Sequence, residues 1–254
     1  LHRVDRRQRQ MCIRDRGRVS SVEVLASVDL IALRMDAESR QLQVLLHRRE
    51  REPFNGLWAL PGVIVNGSTR DANLEAAAHR VLRDKAQVLP RHLEQVGTEG
   101  SAERDPRGWS MSTYYLALLA PDTETADDGL RFAPLDEVLD GRLTLPFDHE
   151  QLVRLSVERL ASKSVYTSLP LYLAAPRFTV LDALNAAQAC LGTTINNTSL
   201  RKRLEKMKEA GWIRDTGEKN FPKMGRPQQL WELTDQAEGV FVFDRSLLAD
   251  RASS

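Results

Sequence analysis

The amino-acid sequence predicts an α+β fold in two domains, and three observations support this prediction. Its 254 residues are too many for one ordinary domain and few for three. Strand patterns mix with helical ones up to about residue 146, after which helices and a late hairpin follow. The net charge also changes sign between these parts. The expected domains are an α+β domain at 19–146, a linker helix at 147–165, a smaller domain at 166–240 and a tail at 241–254.

Composition excludes several classes of protein. Hydrophobic residues make up 42% and charged residues 28% of the chain, which is typical of globular proteins rather than of disordered or fibrous ones. No apolar run approaches the roughly 18–20 residues of a membrane span, and no signal-peptide core lies near the start. Cys12 and Cys190 are too few for a disulfide scaffold or a four-cysteine zinc site, which favours a reducing, cytoplasmic compartment.

Residues 1–18 differ from the rest of the sequence. They carry seven Arg against two Asp and show little apolar periodicity. A basic arm that binds nucleic acid is one interpretation. Residues 11–16 (MCIRDR) resemble a translated sequencing adapter, and we favour this second interpretation. The segment is therefore treated as non-native and left out of the fold prediction.

The first domain shows the patterns of several strands and one long helix. Aliphatic and β-branched runs predict the strands, and apolar residues at three-to-four spacing predict the helix, which Pro90 ends. Residues 53–62 and 121–129 have loop composition. The expected elements are strands at 22–33, 42–46 and 63–65, a helix at 71–87, a strand at 111–119 and a short element at 132–139.

The second domain shows the element order of a winged helix-turn-helix. Asp148 is a candidate N-cap for the linker helix, and Thr179 begins a capping box before a helix that Gly192 ends. A short turn, a second helix at 198–210 and a glycine-bearing hairpin follow. In such a fold the second helix enters the major groove of DNA, and basic residues on the hairpin, or wing, hold phosphates.

The charge distribution agrees with DNA binding by this domain. Residues 19–162 hold 16 Lys and Arg against 23 Asp and Glu, whereas residues 163–231 hold 11 against 5. For one basic helix alone, a solvated surface would be the simpler interpretation, but element order, charge and wing composition agree here. The candidate DNA-contacting residues are Thr198, Ser199, Arg201, Lys202, Lys206, Lys219 and Arg226, with Lys223 near the wing tip.

Short stretches in both domains match one protein family in the same order. They are residues 46–49, 53–62, 77–85, 105–108, 147–149, 166–167, 177–179, 216–218 and 225–227. The first domain resembles a Nudix domain. Over residues 22–234 the chain resembles the Nudix-related transcriptional regulators of NAD metabolism, which join a Nudix-like sensor to a winged helix. The resemblance implies an α/β/α sandwich for the first domain and a homodimer on palindromic double-stranded DNA.

The catalytic motif of Nudix enzymes is damaged in this sequence. Such enzymes read Arg-Glu-x-x-Glu-Glu-x-Gly, so that carboxylates at i, i+3 and i+4 share one helical face and bind divalent cations. Here Val81 and Lys85 occupy two of the three carboxylate positions, and only Asp84 remains. Val63 replaces a motif glycine, and Thr69 falls where another Glu belongs. We therefore expect hydrolysis to be lost.

A protein of this family that has lost the metal ligands can still keep the pocket that binds the diphosphate. The resemblance implies an ADP-ribose-type nucleotide as effector, with no metal or other cofactor required. The candidate ligand-binding residues are Arg48, Arg49, Trp58, Asp105, Arg107 and Asp148. Trp58 or Phe54 could stack on a base, although an aromatic residue in an apolar loop is more often part of the core. His149 is expected to form an interdomain hydrogen bond.

The sequence thus predicts a cytoplasmic transcriptional regulator, expected to act as a repressor, that senses a nucleotide and binds operator DNA. An alternative is a Nudix hydrolase of nucleoside diphosphate derivatives with an accessory winged helix. A third interpretation is a dimeric structural module without ligand, which a thermal-shift screen with nucleotides would distinguish. The residues at positions 81 and 85 argue against the hydrolase.

Overall fold

The computed structural model describes residues 24–221, 226–235 and 239–243. The adapter-like residues 1–18, Lys223 at the wing tip and most of the expected tail lie outside these ranges. Among the helices described, none is both long and apolar enough to cross a bilayer.

A mixed sheet of seven strands forms the centre of the first domain. Its main order is β3-β2-β1-β6-β5, with β4 beside β1 and β7 beside β2. β1 and β6 are parallel, and the other pairs are antiparallel. The strands are β1 (Leu25–Met35), β2 (Leu42–Arg48), β3 (Trp58–Ala59), β4 (Gly62–Ile64), β5 (His92–Ser101), β6 (Ser110–Leu118) and β7 (Leu130–Pro134).

Helices cover both faces of this sheet, which makes an α/β/α sandwich. Successive residues of β1 point to opposite faces, so that Leu30 packs with α1 (Leu74–Val81) and Ile31 packs with α3 (His149–Ser164). The short helix α2 (Leu135–Leu139) adds to the α3 side. Because β1 is buried on both faces, its sequence is a nearly continuous apolar run.

The second domain has the winged-helix arrangement that the sequence predicts. The capping box of Thr179 and Asp182 is formed at the start of α4, and Gly192 ends this helix with φ 63°. Asn196 caps α5. The elements are β8 (Arg177–Phe178), α4 (Val180–Leu191), α5 (Asn197–Glu209), β9 (Ile213–Asn220) and β10 (Gln228–Leu233), with sheet order β8-β10-β9.

One apolar core is continuous between the two domains. A 3₁₀ turn at Leu169–Leu173 places Tyr172 and Leu173 in the same buried cluster as Ile31 and Leu33 of β1. The Arg91 guanidinium, before β5, donates to the backbone oxygen of Ala174 after this turn. Since the core crosses the expected boundary, the domain limits at 146 and 165 stay a prediction.

Several element predictions from the sequence were incomplete. β5 was not predicted, because its residues are half-exposed and include two glycines and two glutamates rather than an alternating apolar pattern. The 3₁₀ turn was also missed. The helix expected at 71–87 begins at Leu74, and its last turn, Leu82–Ala86, is a π-helix. The element expected at 132–139 consists of the end of β7 followed by α2.

Candidate functional site

A cavity of about 560 Å³ opens where β1, β2 and β4 meet the loop after β2 and the end of the α1 helix. This volume falls within the range of small-molecule sites. Seven Arg and Lys side chains line it, together with six Asp and Glu. The cavity is therefore strongly polar and presents several cations to any occupant.

Asp29 of β1 forms the floor of the cavity. Its carboxylate accepts hydrogen bonds from Ser112 Oγ and from Ser27 Oγ, the latter at 3.3 Å, and its burial raises the pKa of this carboxyl. Gly62 lies directly above it: a Cβ at this position would stand 2.0 Å from Asp29 Oδ1. Glycine is required here because the backbone of β4 approaches the buried carboxylate so closely.

Arg104 connects the cavity wall to the helix that leads to the second domain. Its Nε and Nη2 donate to the two carboxylate oxygens of Asp148, each at 2.8 Å, and its Nη2 is 3.8 Å from Asp29 Oδ2. The side chain is only 6% exposed. Asp148 immediately precedes α3, so this bidentate pair holds the N-terminus of α3 against the cavity.

His149 forms a second link at the same helix terminus. The Leu60 backbone N–H donates to His149 Nδ1 at 3.1 Å, so that nitrogen carries no proton. Burial lowers the pKa of His149 to about 3, and the ring is neutral at physiological pH. Its Nε2 lies 3.8 Å from Asp29 Oδ1. The first residue of α3 is thus bonded to the loop that precedes β4.

Arginines at the cavity mouth are held by neighbouring groups. Arg107 forms a two-pronged pair with Asp105, the closest atoms being 2.7 Å apart. Arg49 Nε donates to the Pro53 carbonyl at 2.8 Å, and its guanidinium lies 4.8 Å from the Phe147 ring. Phe147, which lines the cavity, has φ 60°, an uncommon conformation for a bulky residue.

The segment at 80–85, which resembles part of the Nudix motif in sequence, lies along one wall of the cavity. Val81 is fully buried against the sheet and supplies no ligand atom. Asp84 lines the cavity, but its carboxylate accepts from Arg83 Nε at 2.6 Å. Lys85 also lines the cavity. In the described ranges no three His, Cys, Asp or Glu side chains come together in a way that could hold a metal ion.

The motif position that Thr69 occupies has a carboxylate, Asp71, two residues after it. Thr69 is exposed and donates from its hydroxyl to Asn66 at 3.1 Å. Asp71 instead forms a buried bidentate pair with Arg80, at 2.8 and 2.7 Å, and these hydrogen bonds lower its pKa to about 2. Arg80 is one of the residues that line the cavity.

The second helix of the winged-helix domain presents a basic surface. Leu200, Leu204 and Met207 of α5 are buried, which leaves the opposite face of this helix in solvent. Arg203 is the exception among its basic residues, because its guanidinium donates to the Val165 carbonyl at 2.6 Å and is half-buried. All seven candidate DNA-contacting residues are exposed: Thr198, Ser199, Arg201, Lys202, Lys206, Lys219 and Arg226.

Comparisons with known proteins place this chain in a family. No profile of a known protein family matches it. The "ADPR responsive transcriptional repressor NtrR" of Acinetobacter baylyi is 35% identical over 227 residues, which cover 88% of this chain and 87% of that protein. The chain belongs to the NtrR/NrtR family of transcriptional repressors.

A solved structure agrees with family membership and with the fold, and a second relative matches part of the chain. The crystal structure of Shewanella oneidensis NrtR complexed with a 27mer DNA has 33% identity and a TM-score of 0.73, and the match covers 85% of this chain and 97% of that one. An ADP-ribose pyrophosphatase of Methanocaldococcus jannaschii is 31% identical over 114 residues, 44% of this chain and 64% of that protein. The match to the pyrophosphatase therefore covers less than half of this chain.

For this NtrR/NrtR family member, four of the six candidate ligand-binding residues line the cavity: Arg48, Arg49, Asp105 and Arg107. Trp58 lies outside the lining, where it packs against the core with the Arg131 guanidinium 4.5 Å from its ring. The stacking role expected for Trp58 therefore does not fit its position. Asp148 is also outside the lining and binds Arg104 instead.

The cavity residues that sequence reasoning missed include Asp29, Arg104 and Phe147. Asp29 lies in an apolar strand, where a single carboxylate gives no signal of its partners Ser112 and Arg104, which are far away in the chain. Arg104 directly precedes the matched stretch at 105–108, so its neighbourhood was identified although its pairing was not.

Proposed function

We propose that this chain represses transcription by binding operator DNA through its winged helix, and that an ADP-ribose-type nucleotide in the cavity controls this binding. One observation carries the proposal. Arg104 lines the cavity while its guanidinium holds Asp148 at the start of α3, the helix that joins the two domains. The similarity to an ADPR-responsive repressor over 88% of the chain supports it.

The chemistry of the cavity suits a nucleoside diphosphate derivative. Guanidinium groups bind phosphate oxygens with strong, paired hydrogen bonds, and Arg48, Arg49 and Arg107 line the mouth. Phe147 is the aromatic ring available in the lining for contact with a base or sugar. We assign these four residues to ligand binding, with Asp105 orienting Arg107.

Arg104 supplies the coupling between ligand and DNA. A diphosphate in the cavity competes with Asp148 for the same guanidinium, because both are anions that accept two hydrogen bonds. The N-terminus of α3 is held by the Arg104–Asp148 pair and by the Leu60–His149 hydrogen bond. Loss of the pair removes one of these two links. The ligand then favours a different arrangement of the domains and shifts DNA affinity by its differential affinity for the two arrangements.

The DNA-binding half of the proposal rests on α5 and the wing. Exposed Arg201 and Lys202 reach base edges from the major groove, while Lys206, Lys219 and Arg226 hold phosphates. We further propose that the chain forms a homodimer and binds a palindromic operator in the cytoplasm. A dimer with two-fold symmetry recognises two copies of the same short half-site. Ligand binding releases the DNA.

We also propose that the chain does not hydrolyse its ligand. The partial match to an ADP-ribose pyrophosphatase makes hydrolysis the rival function. Val81 and Lys85 replace two carboxylates that metal-dependent hydrolysis needs, and Asp84 is engaged by Arg83. Incubation with ADP-ribose and Mg²⁺ or Mn²⁺ is expected to release no product. Turnover at about 1 per second, the low end of typical enzymes, would restore the enzyme interpretation.

The deciding experiment is an anisotropy titration of the full chain against an operator duplex. The duplex is first selected from random DNA, and the titration is run at fixed salt with and without saturating ADP-ribose. We expect ADP-ribose to weaken DNA binding by about 5- to 150-fold. If calorimetry shows that ADP-ribose binds while the DNA curve does not move, the coupling is wrong. AMP serves as a control that lacks the diphosphate.

A further inference from the structure

The cavity wall contains a cation in the place of a metal ligand. Lys85 lies one residue after Asp84 at the end of the α1 helix, on the wall that carries carboxylates in catalytic Nudix domains. Two of the three carboxylate positions, 81 and 85, hold a buried valine and this lysine. The donor set therefore does not fit a divalent cation, which an ammonium group at this position repels.

Lys85 differs from Arg80, Arg104 and Arg107 of the cavity in its lack of an ion-pair partner. Arg80, Arg104 and Arg107 each form an ion pair with an aspartate. For Lys85 no ion pair or hydrogen bond is found within residues 24–221 and the two shorter described segments. Its charge is thus not neutralised by the protein itself.

The groups around Lys85 leave its positive charge free to act inside the cavity. The neighbouring carboxylate of Asp84 is already engaged by Arg83 Nε and Nη2, at 2.6 and 3.3 Å. His47, on the cavity floor, has its pKa lowered by burial first and also by the charges of Lys85 and Arg49. The charge of Lys85 therefore acts inside the cavity, where an occupant would lie.

We propose that Lys85 takes the place of the metal ion in this cavity: its ammonium binds the diphosphate of the ligand directly, so that binding needs no divalent cation. The identity of the nucleotide rests on the proposed function. The binding of a diphosphate anion by Lys85 does not. A lysine ammonium is a compact point charge that binds phosphate well. It neutralises the diphosphate without activating a water, which permits binding without turnover.

The test is calorimetric titration of the full chain with two probes. ADP-ribose is titrated in EDTA and in Mg²⁺, and inorganic pyrophosphate is titrated in EDTA only. The variants are Lys85→Gln, Lys85→Arg and, as a matched control, Arg70→Gln. Arg70 is an exposed cation close to the same helix but outside the cavity lining. Because Lys85 is exposed, its substitution should leave the fold intact, and thermal unfolding checks this.

We expect wild-type protein to bind ADP-ribose equally in EDTA and in Mg²⁺. Lys85→Gln should weaken both probes by about 10- to 100-fold, as expected for a charge-assisted hydrogen bond. Lys85→Arg should retain most of the affinity, and Arg70→Gln should change it by less than about twofold.

The outcomes separate this inference from the proposed function. Binding of ADP-ribose that disappears in EDTA, or a Lys85→Gln variant that binds like the wild type, overturns the role of Lys85 and leaves nucleotide sensing standing. Pyrophosphate binding that depends on Lys85, without any preference for ADP-ribose, supports Lys85 and overturns the proposed ligand. If neither probe binds, both are wrong.

Discussion

At its Nδ1 atom His149 accepts the Leu60 N–H, and burial lowers its pKa from 6.5 to about 3. Between these two values the unfolded chain binds a proton that the folded protein does not. The free energy of unfolding therefore decreases as the pH falls from 6.5 towards 3, by about 1.4 kcal/mol for each pH unit.

This pH dependence can be measured with His149→Asn, whose amide oxygen keeps an acceptor for the Leu60 N–H. Urea unfolding between pH 6.5 and 4.5 should show a flatter dependence for the variant than for the wild type. Below pH 4.5 the carboxylates of Asp71 and Glu94, each with a pKa of about 2, also contribute, so that range is not used. Identical slopes in the two proteins would contradict a neutral, buried His149.

The Arg104–Asp148 pair gives a second prediction at the scale of single residues. Asp148→Ala leaves the Arg104 guanidinium buried without its main partner, which should lower the free energy of unfolding by about 3 kcal/mol. The loss is at the low end of such cases because Asp29 remains 3.8 Å away. In Arg104→Met/Asp148→Leu the loss should be smaller than in the single variant.

Urea unfolding of the three proteins checks this pair. A loss below about 1 kcal/mol in Asp148→Ala would mean that the pair behaves like an exposed one. Because the pair is already lost without ligand, the same variant should bind operator DNA more weakly than the wild type and respond less to ADP-ribose. This second measurement distinguishes coupling from stability alone.

Among the structural elements, α5 carries the prediction on DNA affinity. Arg201→Ala and Lys202→Ala remove exposed cations from this helix, so each should weaken operator binding. A residue that reads a base should cost about 1–3 kcal/mol, whereas a lost phosphate contact should reduce the slope of log K against log salt by about one unit. Arg154→Ala on α3 is the matched control, since it removes an exposed cation outside the DNA-binding domain. Unchanged affinity in both α5 variants would show that this helix does not contact DNA.

Elements with strong local signals could be predicted from the sequence, and those stabilised by distant contacts could not. The capping box at Thr179 and the glycine that ends α4 follow from local hydrogen bonding and backbone freedom, and both are found as predicted. β5 has little alternation and depends on pairing with β6. The position of Trp58 outside the cavity lining could not be predicted, because an aromatic residue in an apolar loop looks the same in sequence whether it faces a cavity or the core.

For the whole molecule, the continuous core predicts that the two domains unfold together. Leu173 is fully buried in the cluster that also contains Ile31 and Leu33 of the first domain. Leu173→Ala should lower the free energy of unfolding by about 2–5 kcal/mol through the cavity that it leaves. The tryptophans of the first domain, Trp58 and Trp109, and those of the second, Trp212 and Trp231, should report the same transition in wild type and variant.

Two double variants, compared by tryptophan fluorescence during urea unfolding, separate the two domains. Trp212→Phe/Trp231→Phe keeps only the tryptophans of the first domain, and Trp58→Phe/Trp109→Phe keeps only those of the second. Coincident midpoints are expected for both probes, each shifted by the same amount in the Leu173→Ala background. Two separate transitions, with only the second domain destabilised, would contradict a shared core.

The same shared core has a consequence during protein synthesis. The strands that carry Ile31, Leu33 and Leu46 leave the ribosome long before Leu173 and Cys190, which complete the cover of that apolar face. At about 5–20 residues per second, the interval between them is on the order of 6 to 30 seconds. Until α2 and α3 emerge, this face of the nascent sheet has no helix packed against it, and its cover stays incomplete until Leu173 and Cys190 follow. The growing chain should therefore bind holding chaperones until the start of the winged helix has emerged.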